Sequence, residues 1–239
     1  MAARSSGPLA ILRLQHKPVP MKGSIADPAS FAYLVRYLAV PGAWTENVTG
    51  GDRAVLTSYI ESARRMVAEG CRAITTTCGF TSLFQAEVSG AVPVPVAMSS
   101  LSLLPLLERL IPPEGRIAIV TFDASRLTEA HCQGAGWSLT TSKVAIAGIE
   151  GSESWQEMFK PEPGFTREML ARDVMAALDG LRAQHADIRA VLLECAFFPI
   201  VADDVRARTG LPVVDFLTVG DLLMASTDGM PAAAKVVAE

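Results

Sequence analysis

Apolar residues alternate along this chain between short runs and long periodic stretches. Leu9–Leu14, Arg72–Thr77, Val92–Val96, Arg116–Thr121, Ser142–Ala147 and Val213–Phe216 are short and largely β-branched or aliphatic, which predicts strands. Thr57–Glu69 and Thr166–Gln184 space their apolar positions three and four apart, which predicts helices. Helices are also expected at Thr81–Val88, Leu101–Leu110, Arg126–Gln133, Pro199–Arg208 and from Val219–Met224, with a short one at Pro28–Leu38 behind an Asp27 cap. Gln15–Ser24 and the acidic, Gly-bearing Gly148–Glu157 read as loops. Strands alternating with helices imply parallel sheets.

The pattern repeats. Residues 72–80 read R-A-I-T-T-T-C-G-F and residues 189–197 read R-A-V-L-L-E-C-A-F, placing Cys78 and Cys195 in register 117 residues apart. Gly90-Ala91-Val92-Pro93-Val94 is answered by Gly210-Leu211-Pro212-Val213-Val214. The fold expected is α/β, with two pseudo-symmetric, flavodoxin-like parallel-sheet domains and an active site in the cleft between them. Residues 1–113 form the first half and 114–216 the second, with a C-terminal helix over 217–239 completing the first. Ligands sit at the carboxyl edge of open parallel sheets, and both cysteines end their strands there. Duplicated thiols at one interface point to chemistry that needs two of them.

Bulk properties narrow the partners. A net charge of −4 with no Lys/Arg cluster argues against nucleic acid. The uncharged stretch between Glu87 and Glu108 is broken by Pro93, Pro95 and Pro105, so no membrane span is expected. No secretory leader is legible, so a cytoplasmic protein is expected. Its four cysteines should then be free thiols, with Cys71 and Cys132 as small core residues. No zinc spacing, Gly-rich phosphate loop or pyridoxal-lysine context is visible, so no metal or cofactor is expected.

The pairing of T-T-T-C-G-F with L-L-E-C-A-F-F-P resembles the aspartate/glutamate racemase superfamily, and the similarity runs through almost the whole chain. That group includes cofactor-independent racemases, hydantoin racemase, maleate isomerase and arylmalonate decarboxylase. The resemblance implies that Cys78 and Cys195 are the catalytic pair. Amino-acid racemases of the group follow the first cysteine with Asn-Thr and the second with Thr and His or Glu. Here the followers are Gly79-Phe80-Thr81 and Ala196-Phe197-Phe198, so the polar grip for an α-amino acid is missing.

The expected activity is racemisation or epimerisation of a small carboxylate or hydantoin-like molecule. One thiolate removes the proton beside a carboxylate or cyclic amide, and the opposite thiol returns one. With each sulfur about 3–3.5 Å from the reacting carbon, the two would lie roughly 7 Å apart. Decarboxylation, cis–trans isomerisation and a non-catalytic binding module stay open, as does a homo-oligomer. Backbone N–H groups of Gly79, Phe80, Ala196 and Phe197 are candidates to hold the developing enolate, at helix N-termini that should also lower a thiol pKa. Gln15 and Thr121, at the same sheet edge, are candidate substrate contacts. His16 reads as a surface loop residue, and strand alternation turns Glu194 away from the site.

Overall fold

A computed structural model describes residues 7–229. In chain order the strands are β1 (Leu9–Arg13), β2 (Val35–Ala39), β3 (Ala73–Thr76), β4 (Arg116–Thr121), β5 (Val144–Gly148), β6 (Ile188–Leu193) and β7 (Val213–Val214). The helices are α1 (Thr45–Thr49), α2 (Leu56–Ala68), α3 (Gln85–Gly90), α4 (Leu104–Leu110), α5 (Glu129–Gly134), α6 (Glu153–Glu157), α7 (Arg167–Gln184), α8 (Ala202–Thr209) and α9 (Phe216–Ser226). All strand pairs are parallel, in one sheet of order β2-β1-β3 and another of order β5-β4-β6-β7.

The halves share a register as well as an order. Leu12 pairs with Thr76 in the first sheet, and Val120 with Leu193 in the second. Beyond those pairs, the Thr77 N–H donates to Leu12 O and the Glu194 N–H to Val120 O. Ile74 bridges Val96 as Val191 pairs with Val213, again 117 residues apart. The expected strand at Val92–Val96 is reduced to that single bridge. Two prolines, Pro93 and Pro95, remove ladder donors there.

The central strands β1, β4 and β6 are buried on both faces, which explains their unbroken aliphatic runs. α7 opens on Thr166, whose hydroxyl accepts from the Met169 N–H at 3.2 Å, and buries Leu170, Val174, Leu178 and Leu181. α8 ends at Gly210, whose φ of 67° is the left-handed stop that favours glycine. α9 begins at Asp215, which caps Thr218 N at 3.0 Å, and packs on the first sheet through Phe216, Val219 and Leu223. The part of the expected C-terminal helix over 230–239 lies outside the described residues.

One element is corrected. Pro28–Leu38 is no helix: a single 3-10 turn at Pro28–Ser30 leads to the edge strand β2. Phe31, Leu34, Val35 and Leu38 satisfy a helical spacing, but Val35-Arg36-Tyr37-Leu38-Ala39 also satisfies a strand, and pairing with β1 decides it. The expected loop Gly148–Glu157 ends in α6, capped by Ser152 on Trp155 N at 3.2 Å. No helix among the described residues is long and apolar enough to cross a membrane.

Candidate functional site

Cys78 and Cys195 stand at matching places just past β3 and β6. Each precedes a tight turn, 3-10 in form at Gly79–Phe84 and at Phe198–Val201. The N–H groups of Phe80 and Thr81 lie near the Cys78 sulfur, and those of Phe197 and Phe198 near the Cys195 sulfur, where they favour the thiolate. Both cysteines line one small cavity. Both are free thiols, 8% and 9% exposed. The turn after Cys78 is packed from the other half by α5, with the Phe80 ring edge-on to His131 at 5.1 Å.

Glu194 corrects the sequence expectation. β6 ends at Leu193, so strand alternation no longer governs the next residue, and Glu194, fully buried, lines the same cavity as the two cysteines. Its Oε2 accepts from the Thr121 hydroxyl at 2.8 Å and from the Phe122 N–H at 3.3 Å, while Oε1 has no partner. Burial pushes its carboxyl up to about 7, against the pull of those two donors. A Cβ built on Gly79 would lie 1.9 Å from Oε1, so residue 79 has no side chain because the carboxylate occupies that space.

The thiols are also unlike the expectation. Turn N–H groups do favour the thiolate, but burial and the Glu194 charge outweigh them and raise both pKa values. Tyr59 lies beside Cys78 with its hydroxyl buried and unpartnered, and burial raises its pKa as well.

The remaining walls come from segments far apart in sequence. α1 supplies Thr45 and Thr49, and Met158 follows α6. The Thr45 hydroxyl donates to Met158 O at 3.1 Å and Arg126 donates to the Thr49 hydroxyl at 3.0 Å, closing the two halves over the site. Phe122 enters from the end of β4, stacked with Trp155 at 6.0 Å and edge-on to Phe159 at 5.3 Å. None of the lining residues is Lys or Arg. Among the described residues, no three His, Cys, Asp or Glu side chains gather as a metal-ligand set.

Of the residues singled out in the sequence, Gly79, Phe80 and Phe197 line this cavity. Ala196 lines a smaller adjoining one. Thr121 is buried behind the wall, its hydroxyl held by Glu194. Gln15 points outward, exposed, with its Oε1 accepting from Gly42 N at 3.0 Å. His16 takes the inward place instead, against the Phe197 ring at 5.8 Å, and burial lowers its pKa. Thr45, Thr49, Phe122 and Met158 carried no motif by which sequence could find them. Glu194 did carry a signal, a lone carboxylate closing the apolar run Val191-Leu192-Leu193.

The same fold is found in arylmalonate decarboxylase (TM-score 0.57, 14% identity, 97% of each chain covered). Allantoin racemase of Klebsiella pneumoniae also matches (TM-score 0.60, 18% identity, 92% of this chain and 87% of that one). The racemase-superfamily fold implied by the cysteine repeats is therefore present. No protein-family model matches the chain. Sequence relatives carry a lyase name. A dimethylsulfoniopropionate lyase of Durusdinium sp. clade D is 32% identical over 222 residues, covering 90% of this chain and 73% of that relative. Dimethylsulfoniopropionate lyase 6 of Emiliania huxleyi is 31% identical over 227 residues, and the chain spans 59% of its length. By this kinship the chain belongs to the dimethylsulfoniopropionate lyase family of enzymes.

Proposed function

We propose that this protein is a lyase that expels a neutral sulfide from a β-sulfonio carboxylate such as dimethylsulfoniopropionate. The observation that carries the reading is the pair of cysteines on the wall of one cavity, in a chain whose relatives bear that lyase name. One thiolate of the Cys78–Cys195 pair removes the proton α to the carboxylate. The C–H electrons become the new carbon–carbon double bond, the β-carbon–sulfur bond breaks, and its electrons leave with dimethyl sulfide. Acrylate remains, and the protonated thiol returns its proton to solvent.

The developing negative charge on the substrate carboxylate needs donors, because no Lys or Arg lines the cavity. The Thr77 hydroxyl, which only accepts within the protein, and the Gly79 N–H fill that role. The largely apolar wall lowers the local dielectric, which strengthens such hydrogen bonds.

The test is direct. Purified protein is given dimethylsulfoniopropionate, and dimethyl sulfide and acrylate are measured; equal release of both is expected. Absence of both products would sink the reading. The matched thiols favour a second reading, a two-base racemase acting on a carboxylate. It requires inversion of a chiral carboxylate with deuterium uptake from heavy water, and no sulfide release.

A further inference from the structure

Position 194 breaks the internal symmetry of the molecule. Its counterpart in the first half is Thr77, and the two make the same main-chain contact. The Leu14 N–H donates to the Thr77 hydroxyl at 3.1 Å, and the Phe122 N–H donates to Glu194 Oε2 at 3.3 Å. A hydroxyl suffices for that contact. Glu194 goes further, bringing a second oxygen into a fully buried place with no protein partner.

Among the described residues, no Lys or Arg lines the cavity beside it. The other titratable groups on the wall are His16, Cys78 and Cys195. The rings of Phe80, Phe122 and Phe197 share the wall with it, beside Leu14, Met158 and three threonines. A buried carboxylate left without a counter-charge is strongly disfavoured. Aromatic faces joined to one carboxylate are the arrangement that holds methylated cations, whose charge is spread over C–H groups that donate no ordinary hydrogen bond.

We infer that Glu194 is the recognition group for a methylated onium centre, a sulfonium or quaternary ammonium carried by the substrate, and that it sets the cavity's preference for cationic over neutral carboxylates. The inference rests on the lyase reading for where substrate binds. Binding completes the site electrostatically, because the cation neutralises the one charge that opposes ionisation of both thiols. A neutral substrate leaves that opposition in place. Gly79 belongs to the same device, since any side chain there would drive Oε1 from its position.

Two unreactive ligands of one shape separate charge from fit: 3-(trimethylammonio)propanoate and its carbon isostere without the onium charge, 4,4-dimethylpentanoate. Calorimetry at pH 8 on the wild-type protein should show the cationic ligand binding at least about tenfold more tightly, a difference in Kd that geometry alone cannot supply. In Glu194→Gln that preference should fall about tenfold or more. Equal wild-type affinities would overturn the inference, as would a preference that survives in Glu194→Gln. The wild-type ratio stands even if the variant fails to fold. Sulfide release is scored separately. Turnover without onium preference sinks this inference alone, and onium preference without turnover sinks the lyase reading alone.

Discussion

The two cysteine-bearing halves share backbone geometry and differ in what surrounds the sulfur. In the first half Cys78 sits in a hydroxyl-rich strand end, where Thr76 and Thr81 both reach the Met98 carbonyl, at 2.8 and 2.6 Å. In the second half the matching positions are Leu193 and Phe198, both apolar, and the polar atoms are gathered into one carboxylate, Glu194. Duplication thus preserved the thiol's place and the amides aimed at it. It left the neighbouring side chains free to specialise, and the charge of the site came to rest on one half only.

The sharpest way to break this comparison is to remove each sulfur in turn. In a one-base elimination, only one of Cys78→Ser and Cys195→Ser should lose sulfide release by about 10²–10⁴-fold. The other should stay within about tenfold of wild type. Equal losses from both would favour the two-base reading and restore functional symmetry to the halves.

Glu194 gives the next effect, in stability against pH. Its carboxyl titrates near 7 in the folded protein against an ordinary value of 4.5, so the folded state holds the proton longer than the unfolded chain. The unfolded state therefore ionises first, and stability falls as pH rises from about 4.5 to about 7. Relative to Glu194→Gln, the wild type should lose about 3 kcal/mol across that window. Parallel denaturation profiles of the two proteins over that range would refute it.

Gly79 and Ala196 occupy equivalent positions, and only one tolerates a Cβ. Gly79→Ala should destabilise by about 1–3 kcal/mol through overpacking against Glu194. In a Glu194→Gln background most of that loss should remain, because the collision is with atoms rather than with charge. Denaturant midpoints of the four proteins check it, and an unchanged midpoint for Gly79→Ala would show that Glu194 moves freely.

The smallest effect concerns thiol reactivity. Burial and Glu194 hold both site thiols protonated, so alkylation by iodoacetamide at pH 8 should be slow. Glu194→Gln should speed it up to about tenfold, the size of one pKa unit. Mass-spectrometric labelling rates for Cys78 and Cys195 read the outcome, with Cys71 and Cys132 as internal controls. No acceleration would mean that burial alone sets the two thiols.

The sequence by itself determined the strands buried on both faces, the capped helix α7, the duplication and the cysteine at the end of each repeat. These are local or periodic facts: an aliphatic run reads the same wherever it packs, and a repeated motif fixes its own register. Tertiary structure decided β2, because the segment after Phe31 fits either period until it meets β1. It decided that His16 and not Gln15 turns inward. It decided that burial outweighs the turn amides at both thiols, since desolvation depends on every segment that closes the cavity, α1 and Met158 among them. Above all it decided the place of Glu194. Alternation governs a side chain only while the strand lasts, and β6 stops one residue short of it.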